Sequence, residues 1–271
     1  MTASVVQCKT NGQPNGTSPW VPTLTLSSTP TQGNLLYAIV FYRSATAPVA
    51  ASGWTLDQSA SYTNNAPATQ AASYWKYAGA SEPTTITPNT TSGVSGSIIV
   101  FEVTNVPSTF AAAKIVGSIY PSIAQNPLTS SGYNGIGTSQ KNTLFIDGFF
   151  CYSASGAGVG TVGLSPSTML SSYNAVGGTS NVTITAAGGS FLQASPGTYG
   201  DNINLTVAAD IGWVVIGLAS VYVPANTQGS SKINAWAMTG PLNNTQVVSK
   251  VTGYVMVGPP PASPGWISVI E

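Results

Sequence analysis

The sequence predicts an all-β chain, an antiparallel two-sheet β-sandwich of jelly-roll-like character with a C-terminal β extension. Three observations carry this expectation. Four short segments, 35–42, 98–103, 144–152 and 213–219, are apolar at nearly every position, the pattern of strands buried on both faces. They come in two similar pairs: a polar turn ending in Asn34 or Asn142 opens a long apolar strand, and a second apolar strand closes each unit. No amphipathic helix of useful length is present; 109–115, with three alanines, is read as at most one helical turn.

Taken in order, 3–9 reads as a first strand and 20–26 as a second, with the turn-rich Asn11-Gly12-Gln13-Pro14-Asn15-Gly16 between them. After the central strand 35–42, Trp54-Thr55-Leu56 forms a short strand whose large ring caps the sandwich edge. Segment 71–77 alternates, with Ala72, Tyr74 and Lys76 on one face and Ser73, Trp75 and Tyr77 on the other. A turn at 78–83, a short strand at 84–87 and the apolar strand 98–103 complete the first unit. The second follows a glycine-rich approach at 132–137. Its middle, 154–200, is loop-rich, with short strands at 161–164, 181–185 and 191–193, then 203–207 and 213–219. These boundaries divide the chain into a sandwich, 1–223, of two pseudo-repeated halves (about 1–106 and 141–223), and an extension, 224–271. The extension holds a linker, a strand at 247–257 and a proline-rich apolar tail. Four prolines within 259–264 force an extended, unpaired backbone there.

Composition narrows the function. Only 5% of the 271 residues are charged and the formal net charge is zero, against roughly 25% charged in an average globular chain. Solubility rests on hydroxyls and amides, as in a stiff extracellular or virion β structure. The seven basic residues are scattered, whereas phosphate-backbone binding needs clustered cations, so nucleic acid is not an expected partner. No apolar run reaches the roughly 18 residues that span a bilayer. The N-terminus lacks a basic n-region and long h-region, so no signal peptide is expected. Cys8 and Cys151 read as buried free thiols, with pairing left open.

Histidine is absent, which removes the commonest general base and metal ligand. Among the carboxylates, Glu102 and Asp147 are the one couple that could flank a glycosidic bond. The expected reading is that each sits at a sheet edge, on a solvated face, or accepts hydrogen bonds from a neighbour such as Arg43. Asp201-Asn202 could offer oxygens to calcium, but an Asx-turn before the strand 203–207 is the expected reading. No metal or cofactor is expected. Sugar recognition would use loop aromatics with neighbouring amides: Tyr62 with Asn64 and Asn65, Tyr133 with Asn134, Tyr173 with Asn174, and Tyr199. Trp54, Trp75 and Trp213 are assigned to packing. The apolar tail, with Tyr254, Pro260, Trp266, Ile267 and Ile270, reads as a subunit-contact segment, because such a surface is a liability when uncovered.

Several stretches resemble a known group. Gly33-Asn34-Leu35-Leu36, Gly53-Trp54-Thr55-Leu56, Tyr74-Trp75-Lys76-Tyr77-Ala78-Gly79-Ala80-Ser81-Glu82-Pro83 and Phe101-Glu102-Val103-Thr104-Asn105-Val106 occur in this order. They are similar to a jelly-roll-like β-sandwich module of bacteriophage tail, fibre and capsid-decorating proteins. The resemblance covers about 1–223 and brings no catalytic residues. It implies a non-enzymatic structural protein of a virion, made in the host cytoplasm without a signal peptide. Expected partners are other virion proteins and copies of itself, a trimer among the options, with no membrane insertion. The alternative is a carbohydrate or host-receptor binding module meeting a surface glycan through the loop residues above. A glycan-cleaving enzyme is the minority alternative.

Overall fold

The computed structural model describes residues 1–14, 19–62, 68–120, 128–153, 161–177 and 182–221, within a compact unit, Met1–Tyr222. It has the expected antiparallel two-sheet sandwich. The first sheet takes its strands from the first half of the chain. These are β1 (Ser4–Gln13), β3 (Leu35–Arg43), β4 (Thr55–Tyr62), β5 (Thr69–Tyr77) and β7 (Gly96–Thr104), in the spatial order β1-β7-β3-β5-β4. A short pair, β2 (Leu24–Thr25) with β6 (Thr85–Ile86), lies outside this sheet. One helical turn, α1 (Phe110–Ala113), then leads directly into β8 (Lys114–Tyr120), as expected of 109–115.

The second half repeats this plan. After β8 come β9 (Leu128–Thr138), β10 (Thr143–Ser153), β11 (Thr161–Ser165), β12 (Thr168–Gly177), β13 (Val182–Gln193) and β14 (Gly197–Leu218). The later part of β14 pairs with β8 on one side and β10 on the other, and β10 continues to β13 and β12. The main sheet therefore runs β8-β14-β10-β13-β12, the order of the first sheet over again. Even the covers correspond. In the first half β2, between the first two main strands, pairs with β6, which precedes the last. In the second half β9 stands in the first place, and the early part of β14 (197–204), in the second, pairs with it. The strand β11 adds to the second cover.

The sheets stack so that β1 lies over β12 and β13, and β4 over β8, as a pseudo-two-fold axis along the strands requires. On that axis β3 faces β10. Phe41 stacks on Phe150 with centroids 5.3 Å apart. Arg43 lies over the Tyr152 ring, its Nη1 donating to the Tyr152 hydroxyl at 2.6 Å. Gly33 (φ 84°) and Asn142 (φ 55°) hold the same left-handed turn before their strands. All three pairs stand at one spacing along the sequence. This shifts the match by one residue from the sequence reading: Asn142 corresponds to Gly33, and Asn34 to Thr143.

The double-sided burial of the four central strands now has a physical cause. Inner side chains, among them Leu35, Ile39, Ile99, Phe101, Ile146 and Ile216, form the inter-sheet core. Outer ones on the first sheet, including Leu36, Val40, Tyr74 and Val100, pack under Trp20, Leu24, Leu26 and Ile86. On the second sheet, Phe145, Phe149 and Val215 pack under Ile136, Tyr199, Ile203 and Leu205. Each Leu, Ile or Phe so buried contributes about 1.5–3 kcal/mol relative to exposure. The two layers need very different side chains where they meet. Gly148 and Gly188, paired across β10 and β13, open a trough on the inner face. A Cβ on Gly148 would lie 2.8 Å from the Cδ1 atoms of both Ile39 and Ile99.

Several boundaries differ from the sequence reading. The 22-residue β14 replaces the separate short strands at 203–207 and 213–219, and β13 runs unbroken where two short strands were expected. The glycine-rich approach lies within β9, and β4 is eight residues long. In each case polar and small residues extend a strand because the backbone pairs with a neighbouring strand, whatever the side chains offer. The strand expected at 247–257 and the tail residues Tyr254, Pro260, Trp266, Ile267 and Ile270 lie outside the described residues.

Candidate functional site

Among the described residues the fold places the carboxylates in separate environments. Glu102, on β7, projects from the outer face of the first sheet and is fully buried. Its Oε1 accepts from the Thr31 amide (2.8 Å) and Asn34 Nδ2 (2.6 Å), and its Oε2 from Gln7 Nε2 (2.6 Å). Gln7 Oε1 in turn accepts from the amides of Ser27 and Ser28. One buried charge thus gathers the 27–34 segment onto the sheet through donors alone, which is how a carboxylate is accommodated without a cation.

Asp147, on β10, projects from the outer face of the second sheet and is also fully buried. Its Oδ2 accepts from Ser167 Oγ at 2.8 Å and from the Tyr199 hydroxyl at 3.1 Å, and Ser167 and Tyr199 bond each other. Tyr199 is sandwiched between Phe145 and Phe191, with centroids at 4.3 and 5.1 Å. Glu102 and Asp147 therefore point away from each other, from opposite sides of two sheets about 10 Å apart. They cannot flank one glycosidic bond, and the pairing considered from sequence is corrected on that ground. Arg43, suggested as a partner for either, is instead engaged with Tyr152.

The residues considered for sugar contact do not form one cluster. Tyr173 and Asn174 lie in β12, not in a loop. The Tyr173 ring packs on the inter-sheet core beside Gly12, and Asn174 Oδ1 accepts from Thr185 Oγ1 across the strands. Tyr199 is buried within β14, so its assignment to a sugar-facing loop is wrong. The backbones of Tyr133 and Asn134 belong to β9, again a strand in place of the expected loop. Tyr62 ends β4 at partial exposure, while Asn64 and Asn65 lie outside the described residues. Strand pairing claimed these positions because tyrosine is a good strand former, and its turn-like neighbours concealed this.

Asp201 is corrected too. It lies in β14 beside an irregularity in pairing with β9, and its Oδ1 accepts from the Asn202 amide at 2.8 Å. It starts no turn before a strand at 203. Among the described residues no three of His, Cys, Asp and Glu gather to hold a metal ion. The two thiols are free: Cys8 faces the inter-sheet core and Cys151 the layer outside the second sheet. Burial pushes both thiols up from their ordinary values, with the charge of Asp147 adding to the effect at Cys8.

One polar node escaped the sequence reading. Between β4 and β8, Lys114 Nζ contacts Asp57 Oδ1 at 2.5 Å. The Tyr37 hydroxyl lies 2.8 Å from both Asp57 Oδ2 and Ser73 Oγ. A carboxylate only accepts, so the phenol donates to Asp57 and accepts from Ser73. Gln58 Nε2 donates to the same phenol at 3.4 Å. Phe110 closes the node, stacked on Trp75 at 4.4 Å with Lys114 Nζ 5.9 Å from its ring. Burial first, then the Asp57 charge, raises the Tyr37 phenol well above its ordinary value, so it remains a donor. The signal for this node was a lone Asp directly after the Gly53-Trp54-Thr55-Leu56 motif, which alone names no partner.

The chain matches no family model, no curated protein and no solved structure with which it was compared.

Proposed function

We propose that the chain is a non-enzymatic structural module of a bacteriophage particle, in a tail, fibre or capsid decoration, built on a jelly-roll-like sandwich. One observation supports this reading above others: the residues that carry the family resemblance are spent on holding the sheet together. Gly33 turns the chain at positive φ, and Asn34 donates to Glu102. Gly53 makes the second left-handed turn, before Trp54. Lys76 lies 5.6 Å over the Trp54 ring and pairs with Glu82 at 2.8 Å, while Glu82 Oε2 also accepts from the Gly79 amide. Asp57, Glu82, Glu102, Asp147 and Asp201 all hold internal bonds, which favours a display body over a hydrolytic site.

Assembly falls to exposed strand edges and to the 224–271 extension. Labelling purified particles with antibody against the chain, followed by electron microscopy, tests the proposal. Label at regularly repeated positions is expected; protein found only free in the lysate refutes it. If truncation after Pro224 left particle incorporation unchanged, the role given to the extension would be wrong. Binding of the isolated protein to a glycan array, lost on substitution of Tyr62, would instead support the receptor-binding alternative.

A further inference from the structure

We propose that Lys114 and Asp57 become joined by an isopeptide bond, Nζ to Cγ, that covalently ties the first sheet to the second. The geometry is prepared from both sides by irregular strands. Pairing of β4 with β5 slips between Leu56 and Gln58, so Asp57 is the extra residue of a bulge. Pairing of β8 with β14 slips between Gly217 and Leu218, leaving Ile115 as the extra residue beside Lys114. Bulges re-aim side chains, and these two bring an amine and a carboxyl into contact between strands that share no backbone ladder.

The reaction needs nothing from outside. The ammonium of Lys114 passes a proton to Asp57 Oδ1 within their contact. The neutral amine attacks Cγ, forming the C–N bond. The Tyr37 hydroxyl, already donating to Oδ2, stabilises the oxyanion of the tetrahedral intermediate. The C–Oδ1 bond breaks, and a second proton from the nitrogen leaves with that oxygen as water. Ammonium plus carboxylate becomes amide plus water, so atoms and charge balance. Fixed intramolecular placement supplies effective concentrations on the order of 10⁵ M or more, which speeds the attack of the amine on Cγ. The Asp57 side chain is 6% exposed and that of Lys114 26%. The carboxyl carbon is thus screened, and the released water has a way out along the lysine.

Mass spectrometry of the intact, full-length protein reads the outcome directly. The expected mass is the sequence mass less one water molecule, with a protease digest giving one branched peptide that contains both Asp57 and Lys114. Asp57→Ala and Lys114→Met should each show the full sequence mass; a water-loss mass persisting in either would place the bond elsewhere and overturn the assignment. Tyr37→Phe, which keeps the ring, should slow the loss of water at least tenfold in a time course from fresh synthesis. Equal rates would remove Tyr37 from the mechanism. Wild-type protein that keeps its full mass after prolonged incubation at neutral pH, with a free Lys114 peptide in the digest, refutes the proposal and leaves an ordinary ion pair.

Discussion

Gly148→Ala tests whether the two sheets interlock as described. The new methyl would stand 2.8 Å from two Ile Cδ1 atoms and 3.3 Å from Ile39 Cγ2, about 1 Å inside normal carbon contact for the first two. Overpacking of this kind costs about 1–3 kcal/mol. Relief of glycine's backbone entropy in a strand returns about 0.5–1 kcal/mol, leaving a net destabilisation of roughly 0.5–2 kcal/mol. The double variant Ile39→Val/Ile99→Val removes both offending methyls and should cost about 1–3 kcal/mol by itself. Combining all three places a methyl in the space vacated. The triple variant should then be no less stable than the double, a favourable coupling of about 0.5–2 kcal/mol. Urea unfolding of the four proteins measures this, with Tm moving about 2–4 °C per kcal/mol for a folded unit of this size. Additivity within about 0.5 kcal/mol would show that Gly148 does not receive Ile39 and Ile99.

Other outcomes follow from the buried polar groups. Glu102→Gln turns one acceptor toward its three donors as an NH₂ group, and should cost about 2–4 kcal/mol; hydrogen exchange should show the loss first at the Thr31 amide. Tyr152→Phe keeps the ring under Arg43 and removes one hydrogen bond, so a loss of about 0.5–1.5 kcal/mol in urea unfolding is expected. Stability should also fall on the alkaline side. Burial raises Tyr37 and Tyr74 well above their ordinary values, pushes Tyr42 up to about 12, and raises Cys8 and Cys151. The unfolded chain then gives up thiol protons near pH 8.5 and phenol protons near pH 10, while the folded chain keeps them. Fewer protons on the unfolded state make stability decrease with pH, by about 1.4 kcal/mol per unit for each group. Unfolding free energy should begin to fall above about pH 8 and drop steeply above about pH 10. A level profile to pH 11 would contradict the burial of these groups, and Tyr74→Phe should make the decline shallower.

The parts of this fold legible in the sequence are those where side chains alone decide. The central strands announced themselves because covers on both sides of the sandwich make each of them apolar on two faces. The alternation of Ser73, Trp75 and Tyr77 against Ala72, Tyr74 and Lys76 was readable for the same reason. What backbone pairing decides was hidden: β9 is rich in glycine and serine, and β14 changes from cover to main sheet without a turn residue to mark the passage. The site was less legible still. Asp57 and Lys114 are 57 positions apart, and each is aimed by a bulge whose position depends on the neighbouring strand. Tyr199 looked like a loop aromatic beside Gly200 and Asn202, and its burial follows from Phe145, Phe191 and the Ser167–Asp147 pair, most of them distant in sequence.

The repeated strand order has a consequence for synthesis. When the first half emerges, its sheet and outer cover can already collapse, but its inner face of Leu35, Ile39, Phe41, Ile99 and Phe101 waits for residues beyond 143. Translation proceeds at about 5–20 residues per second, so this face stays open for seconds. Because the second sheet docks by the same strand plan, the surface most ready to occupy that face meanwhile is the first half of a neighbouring nascent chain. With so few charges on the molecule, little repulsion keeps two such chains apart. Such a pair would have to separate before either chain could close on itself. Yield from dense polysomes, more than the equilibrium stability of the finished sandwich, is where this architecture is most exposed.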